Sequence, residues 1–125
     1  MIIYIPVSVA ELFDKITILE IKLAEITDLE RLQHVKKELA ILLKIVEDHG
    51  QLSFLGTEMY TELKTVNKVL WDVCILRRKF ETAGQFDTDF IVQSRNEYKT
   101  NDRRAAIKAK INLHFESDIV EVKSY

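Results

Sequence analysis

Three glycines (Gly50, Gly56 and Gly84) and one proline (Pro6) in 125 residues are the tightest limit on what this chain can become. Average usage, about 7% glycine and 5% proline, would supply roughly nine and six. A β-sandwich or barrel turns every ten residues or so and needs such residues at its turns. The chain therefore reads as all-α: an antiparallel bundle of four to five helices in a single domain over residues 1–125. With 47% apolar and 30% charged residues it is neither disordered nor embedded in lipid.

The helices can be placed from caps and apolar stripes. Residues 2–7 are β-branched or aromatic apart from Pro6, and read as a short strand or extended arm. Ser8 and Glu11 form a capping box that opens the first helix, with the stripe Val9, Leu12, Ile16, Leu19, Leu23 and Ile26. Thr27 and Glu30 repeat the box, so a second helix turns back at once on Leu32, Val35, Leu39, Leu42 and Val46 and stops near Gly50. A third runs from about Thr57 to Thr82 on Met59, Leu63, Val66, Leu70 and Val73, and Gly84 ends it. Asp87 caps a fourth helix. The run Lys99-Thr100-Asn101-Asp102 reads as a break with a fresh cap, and a fifth helix continues to about Phe115 on Ile107 and Ile111. Residues 118–125 alternate loosely and are expected to be extended, able to pair with the N-terminal arm as a two-stranded ribbon.

Two helices carry a second apolar row. Ile18 and Ile21 lie roughly opposite the main stripe of the first helix, and Ile41 and Ile45 do the same on the second. Either the terminal segments or a second subunit is expected to cover them, which favours a homo-oligomer, most simply a dimer.

Net charge is −2, which favours neither nucleic acid nor an anionic membrane as partner. The charge is unevenly spread. Residues 1–50 hold six basic and nine acidic side chains, whereas Arg95, Lys99, Arg103, Arg104, Lys108 and Lys110 face only Glu97 and Asp102 within 95–110. Cys74 is the one cysteine, so no disulfide forms within the chain. The N-terminal run has no basic n-region and is too short an apolar stretch for a signal peptide. No stretch of about 20 residues lacks charge, so neither a signal peptide nor a transmembrane helix is expected and a cytoplasmic location is the expectation.

Chemistry-bearing motifs are few. His34, His49 and His114 have no His or Cys at metal-ligand spacing, and Glu47, Asp48, Asp87 and Asp89 lack a diagnostic pattern, so no metal is expected. Neither a nucleophile elbow nor a phosphate-cradling or dinucleotide glycine loop occurs, so no cofactor is expected. Arg77 falls at the same helical angle as Met59, on the apolar stripe, where a guanidinium wants a buried carboxylate or an anionic ligand. Asn101, Arg104, Lys108 and Asn112 follow one narrow arc that suits a phosphate or carboxylate, or else is a solvated face. Lys15 and Lys22 share one side of the first helix with Glu11. Lys15, Arg104 and Lys108 are expected to meet at a groove between the first and fifth helices, where Glu11 and Asp14 are the carboxylates available to compensate them.

The run Ile5–Lys22, the run Asn101–Lys108 and the ending Val120–Tyr125 together resemble a family of short bacterial and phage proteins of unknown function, sometimes seen near surface-polysaccharide or glycosyltransferase genes. The resemblance spans the chain and departs at Ala10, where the family commonly has glycine. It implies no reaction. It does imply that Glu11, Asp14, Lys15, Lys22, Asn101, Asp102, Arg104 and Lys108 are the positions to examine.

Three functions follow in order. The first is a non-enzymatic interaction module with a basic face on its last helix, serving a protein partner. The second is a small helical enzyme or binding protein for a phosphorylated or carboxylated metabolite, and the third a nucleic-acid binder, which lacks exposed interleaved aromatics. Depth separates the first two: a concave pocket holding several of the named cations favours a ligand, a flat basic face a partner.

Overall fold

The computed structural model describes residues 1–125 and is all-α, with four helices: α1 (Val9–Glu25), α2 (Leu29–Asp48), α3 (Glu58–Ala83) and α4 (Thr88–His114). A short 3-10 turn, Leu52–Gly56, links α2 to α3. Ser8 caps α1, its Oγ accepting the Glu11 amide at 3.1 Å. The return half of the expected box is missing because the Glu11 carboxylate bonds Lys108. The cap of α2 is one residue later than expected: Asp28, not Thr27, accepts the Arg31 amide at 2.9 Å. Asp28 is an equally good cap, and its use lets Thr27 join the connection.

The expected break at 99–102 is absent, so there are four helices and not five. α4 runs unbroken because Thr100 is buried and the Asn101 side-chain Oδ1 accepts from Arg104 one turn on. A weak helix former costs only about 0.5 kcal/mol, which such contacts override. The expected ribbon is also absent. Residues 2–7 and 120–125 are neither helical nor paired as strands. The tail is fixed by ion pairs, Lys108–Glu121 at 3.0 Å and Lys123–Asp102 at 3.7 Å, in place of a backbone ladder.

α1 lies at the centre, touching α2, α3 and α4, while α3 and α4 form the most extensive pair. α2 packs only on α1 and the 3-10 turn, and buries only Val35 and Val46. This arrangement explains the second apolar row of α1. Ile21 is buried and Ile18 half-buried because α3 lies on that side, so neither the termini nor another subunit is needed there. Ile41 and Ile45 stay half-buried on α2. The core gathers Phe13, Ile16, Val46, Phe54, Tyr60, Leu63, Val66, Ile107 and Ile111. Phe13 sits among aromatic rings, 4.5 Å from Phe54 and 5.6 Å from Phe115 between centroids.

Three helices end in the same hydrogen-bonded closure, with a left-handed residue just past the last turn. Gly50 and Gly84 fill that position after α2 and α3, but Glu116 fills it after α4 at φ 51°. There the Ser117 amide donates to the Asn112 carbonyl at 2.9 Å and the Glu116 amide to the Leu113 carbonyl at 3.2 Å. A side chain in this region costs roughly 1–2 kcal/mol, partly offset by the entropy that glycine loses on folding. Glu116→Gly is therefore expected to stabilise the protein by about 0.5–1 kcal/mol, read as a rise of a few degrees in a thermal melt. An unchanged or lower melting temperature would show that Glu116 makes contacts worth more than its strain.

Candidate functional site

The α1–α4 seam carries the densest polar chemistry in the molecule. Asp14 is 1% exposed, and a carboxylate so placed must be fully partnered. Arg104 from α4 grips it as a two-pronged fork, Nε donating to Oδ1 at 3.0 Å and Nη2 to Oδ2. Asn67 from α3 donates to the same Oδ1 at 2.8 Å and to the Thr17 hydroxyl at 2.7 Å. Thr17 in turn donates back to the Asp14 carbonyl at 2.7 Å. One buried carboxylate thus joins α1, α3 and α4.

Lys108, 5% exposed, lies one turn along α4 from Arg104. Its Nζ bonds Glu11 at 2.8 Å and Glu121 of the tail at 3.0 Å, with Asp14 at 3.9 Å. Burial alone would lower the Lys108 pKa, but the bonds from Glu11 and Glu121 outweigh it and leave it raised. The bond from Asp14, working against burial, likewise raises Arg104. The Lys108 ammonium holds Glu121 below the ordinary carboxylate range.

The amide of this row has a structural task. Asn112 Oδ1 accepts the Ala10 amide at 2.8 Å, and Ser117 Oγ accepts the Val9 amide at 3.1 Å. Two of the unpaired N–H groups at the start of α1 are thus satisfied from α4 and its exit turn.

Of the expected convergence, Arg104 and Lys108 do meet α1, but Lys15 does not. Lys15 lies 100° around α1 from Asp14 and pairs with Glu38 of α2 at 3.2 Å. Lys22 makes no ion pair and stands half-buried on α1. Arg77 is distant in another way: it pairs with Glu97 and lies 5.6 Å over the Phe90 ring, at the far end of the α3–α4 pair. Asn101 supports Arg104 at 3.3 Å, and Asp102 holds Lys123. Asn67, Thr17 and Glu121 were not among the expected residues. Asn67 had a signal, a polar residue between Val66 and Leu70 of the α3 stripe; Glu121 had none. No group of three His, Cys, Asp or Glu side chains is placed to hold a metal ion, Glu47, Asp48, Asp87 and Asp89 included.

Two recesses flank Arg104. A small polar one of about 130 Å³ lies under the tail, bounded by Asn101, Arg104, Lys108, Glu121, Lys123 and Tyr125. A larger apolar groove of about 390 Å³ lies between α1 and α3. The opposite side of α4 is different. Its ion pairs use only Glu97, Asp102, Arg104 and Lys108, which leaves Arg95, Lys99, Arg103 and Lys110 exposed and unpaired. At 100° per residue these four fall within an arc of about 80°, facing away from Arg104 over about 22 Å of helix.

Because Glu121 has a lowered pKa, its contribution is present above pH 4.5 and is lost as the pH falls through the lowered value. The groups facing it are Lys108, Arg104 and Lys123. Glu121→Gln is expected to melt below the wild type at pH 7 and to match it once Glu121 is protonated, well below pH 4.5. A gap that persists in acid would mean that Glu121 acts by packing and not by charge.

No helix is long and apolar enough to cross a membrane. No curated protein and no solved structure matches the chain. A family model matches residues 3–125, and on that match the chain belongs to DUF6165, a family of unknown function.

Proposed function

We propose that this protein is a non-catalytic interaction module that docks an acidic protein segment along the outer face of α4. The observation that carries the reading is the division of the α4 cations. Arg104 and Lys108, the pair best placed for a small anion, are matched by Asp14, Glu11 and Glu121, so their charge is spent inside the protein. Arg95, Lys99, Arg103 and Lys110 have no carboxylate partner.

Neighbours four residues apart on a helix sit about 6 Å apart, less than the screening length of about 8 Å at physiological salt, so their potentials add. Like charges at this spacing also cost the helix a few tenths of a kcal/mol per pair, as with Arg95–Lys99 and Lys99–Arg103. A stripe that weakens its own helix is better explained by a partner than by folding. The acidic balance of the remainder of the chain disfavours a long nucleic acid, which would be repelled beyond the stripe.

Fluorescence anisotropy with a labelled poly-glutamate peptide tests this reading. The wild type is expected to bind it with an affinity that falls as salt rises. The variant Arg95→Gln/Lys99→Gln/Arg103→Gln/Lys110→Gln is expected to lose at least tenfold, about 0.4 kcal/mol for each charge removed. Equal binding by both proteins, or tighter binding of a single-stranded oligonucleotide than of the peptide, would refute it.

A further inference from the structure

The groove between α1 and α3 has the make-up of a ligand site and is separate from the outer face of α4. Its apolar walls are Ile18 of α1 with Leu70, Trp71 and Ile75 of α3, and its charged edges are Arg78 of α3 and Arg104 of α4. At about 390 Å³ it lies within the range of sites for small organic molecules. The α3 residues share one helical face, so most of the apolar wall is set by that helix.

One further observation points to a missing anion. Arg78 is exposed and, unlike Arg104, makes no ion pair. A cation without an anion therefore borders the apolar groove.

We infer that this groove binds a small organic acid: an apolar, flat or chain-like body against Ile18, Leu70, Trp71 and Ile75, with one anionic group at Arg78. The Arg104 guanidinium forms part of the wall but is held by Asp14, so Arg78 supplies the charge that selects the anion. A neutral molecule of the same shape gains the apolar contacts and forfeits the charge-assisted bond, which is worth about tenfold in affinity.

The chain has one tryptophan and one cysteine, and both lie on this groove, which makes the site directly readable. The probe is 8-anilinonaphthalene-1-sulfonate, an aromatic body with a single anion, followed by quenching of Trp71 emission. Its neutral counterpart, N-phenyl-1-naphthylamine, is titrated in parallel. Saturable quenching by the sulfonate is expected, about tenfold weaker for the neutral compound and for Arg78→Glu, and reduced when Cys74 is alkylated with a bulky maleimide. Circular dichroism establishes that Arg78→Glu, an exposed site, retains its helices. Absence of saturable quenching, equal affinity for the two compounds, or wild-type affinity in Arg78→Glu would overturn the assignment.

Discussion

Asp14→Ala is expected to lower stability by about 3–5 kcal/mol, the usual cost of breaking a buried ion pair from one side. The substitution leaves the Arg104 fork and the Asn67 amide facing a vacated position at a seam where three helices meet. For a domain of this size that is a fall in melting temperature of roughly 10–20 °C. The double variant Asp14→Leu/Arg104→Met is expected to lose less than Asp14→Ala, because an apolar pair of similar volume leaves no charge stranded. If Asp14→Ala melts within about 2 °C of the wild type, the seam is not the lock that its geometry describes, and the inner cations are again available to a ligand.

Phe13→Ala is the second large effect, expected at about 3–5 kcal/mol, the range for emptying an aromatic site in a packed core. Phe13 stacks on Phe115 and touches Phe54 and Tyr60, so its loss loosens α1 from three neighbours: the 3-10 turn, α3 and the exit of α4. Chemical denaturation with an unchanged slope measures it directly. Phe13→Leu, which keeps most of the volume, is expected to lose less than half as much. Equal losses for leucine and alanine would mean that ring stacking, and not filled volume, holds this region.

The helices were legible because their signals are local. Ser8, Gly50, Gly84 and Asp87 each act within a turn or two of chain and work in the structure as their chemistry predicts, whereas Glu11 leaves its expected box for Lys108. The errors arose where distant contacts decided. Thr100 and Asn101 look like a cap, yet one is buried and the other is bonded to Arg104. Residues 119–122 look like a strand, yet Glu121 finds a lysine and no neighbouring strand forms.

The candidate site divides in the same way. Glu11, Asp14, Arg104 and Lys108 were identifiable as a group, but their pairing depends on the register of α1 against α4, which no local pattern sets. Lys15 shows the sensitivity: one residue from Asp14 means 100° of rotation, and that carries it to α2. The outer stripe was visible only as part of an undivided basic segment, since knowing which cations are free requires knowing which are taken.

That division of labour on α4 is the central claim, and comparing the melting temperatures of two variants tests it most directly. Neutralising the outer face, as Arg95→Gln/Lys99→Gln/Arg103→Gln/Lys110→Gln, is expected to leave the melting temperature unchanged or slightly raised, because two like-charge contacts disappear. Arg104→Ala, on the inner face, is expected to drop it by about 10 °C or more, since Asp14 is then buried without its partner. The opposite pattern, a destabilised outer variant beside an unaffected Arg104→Ala, would show that the outer cations hold the fold and the inner ones are free, which contradicts the account.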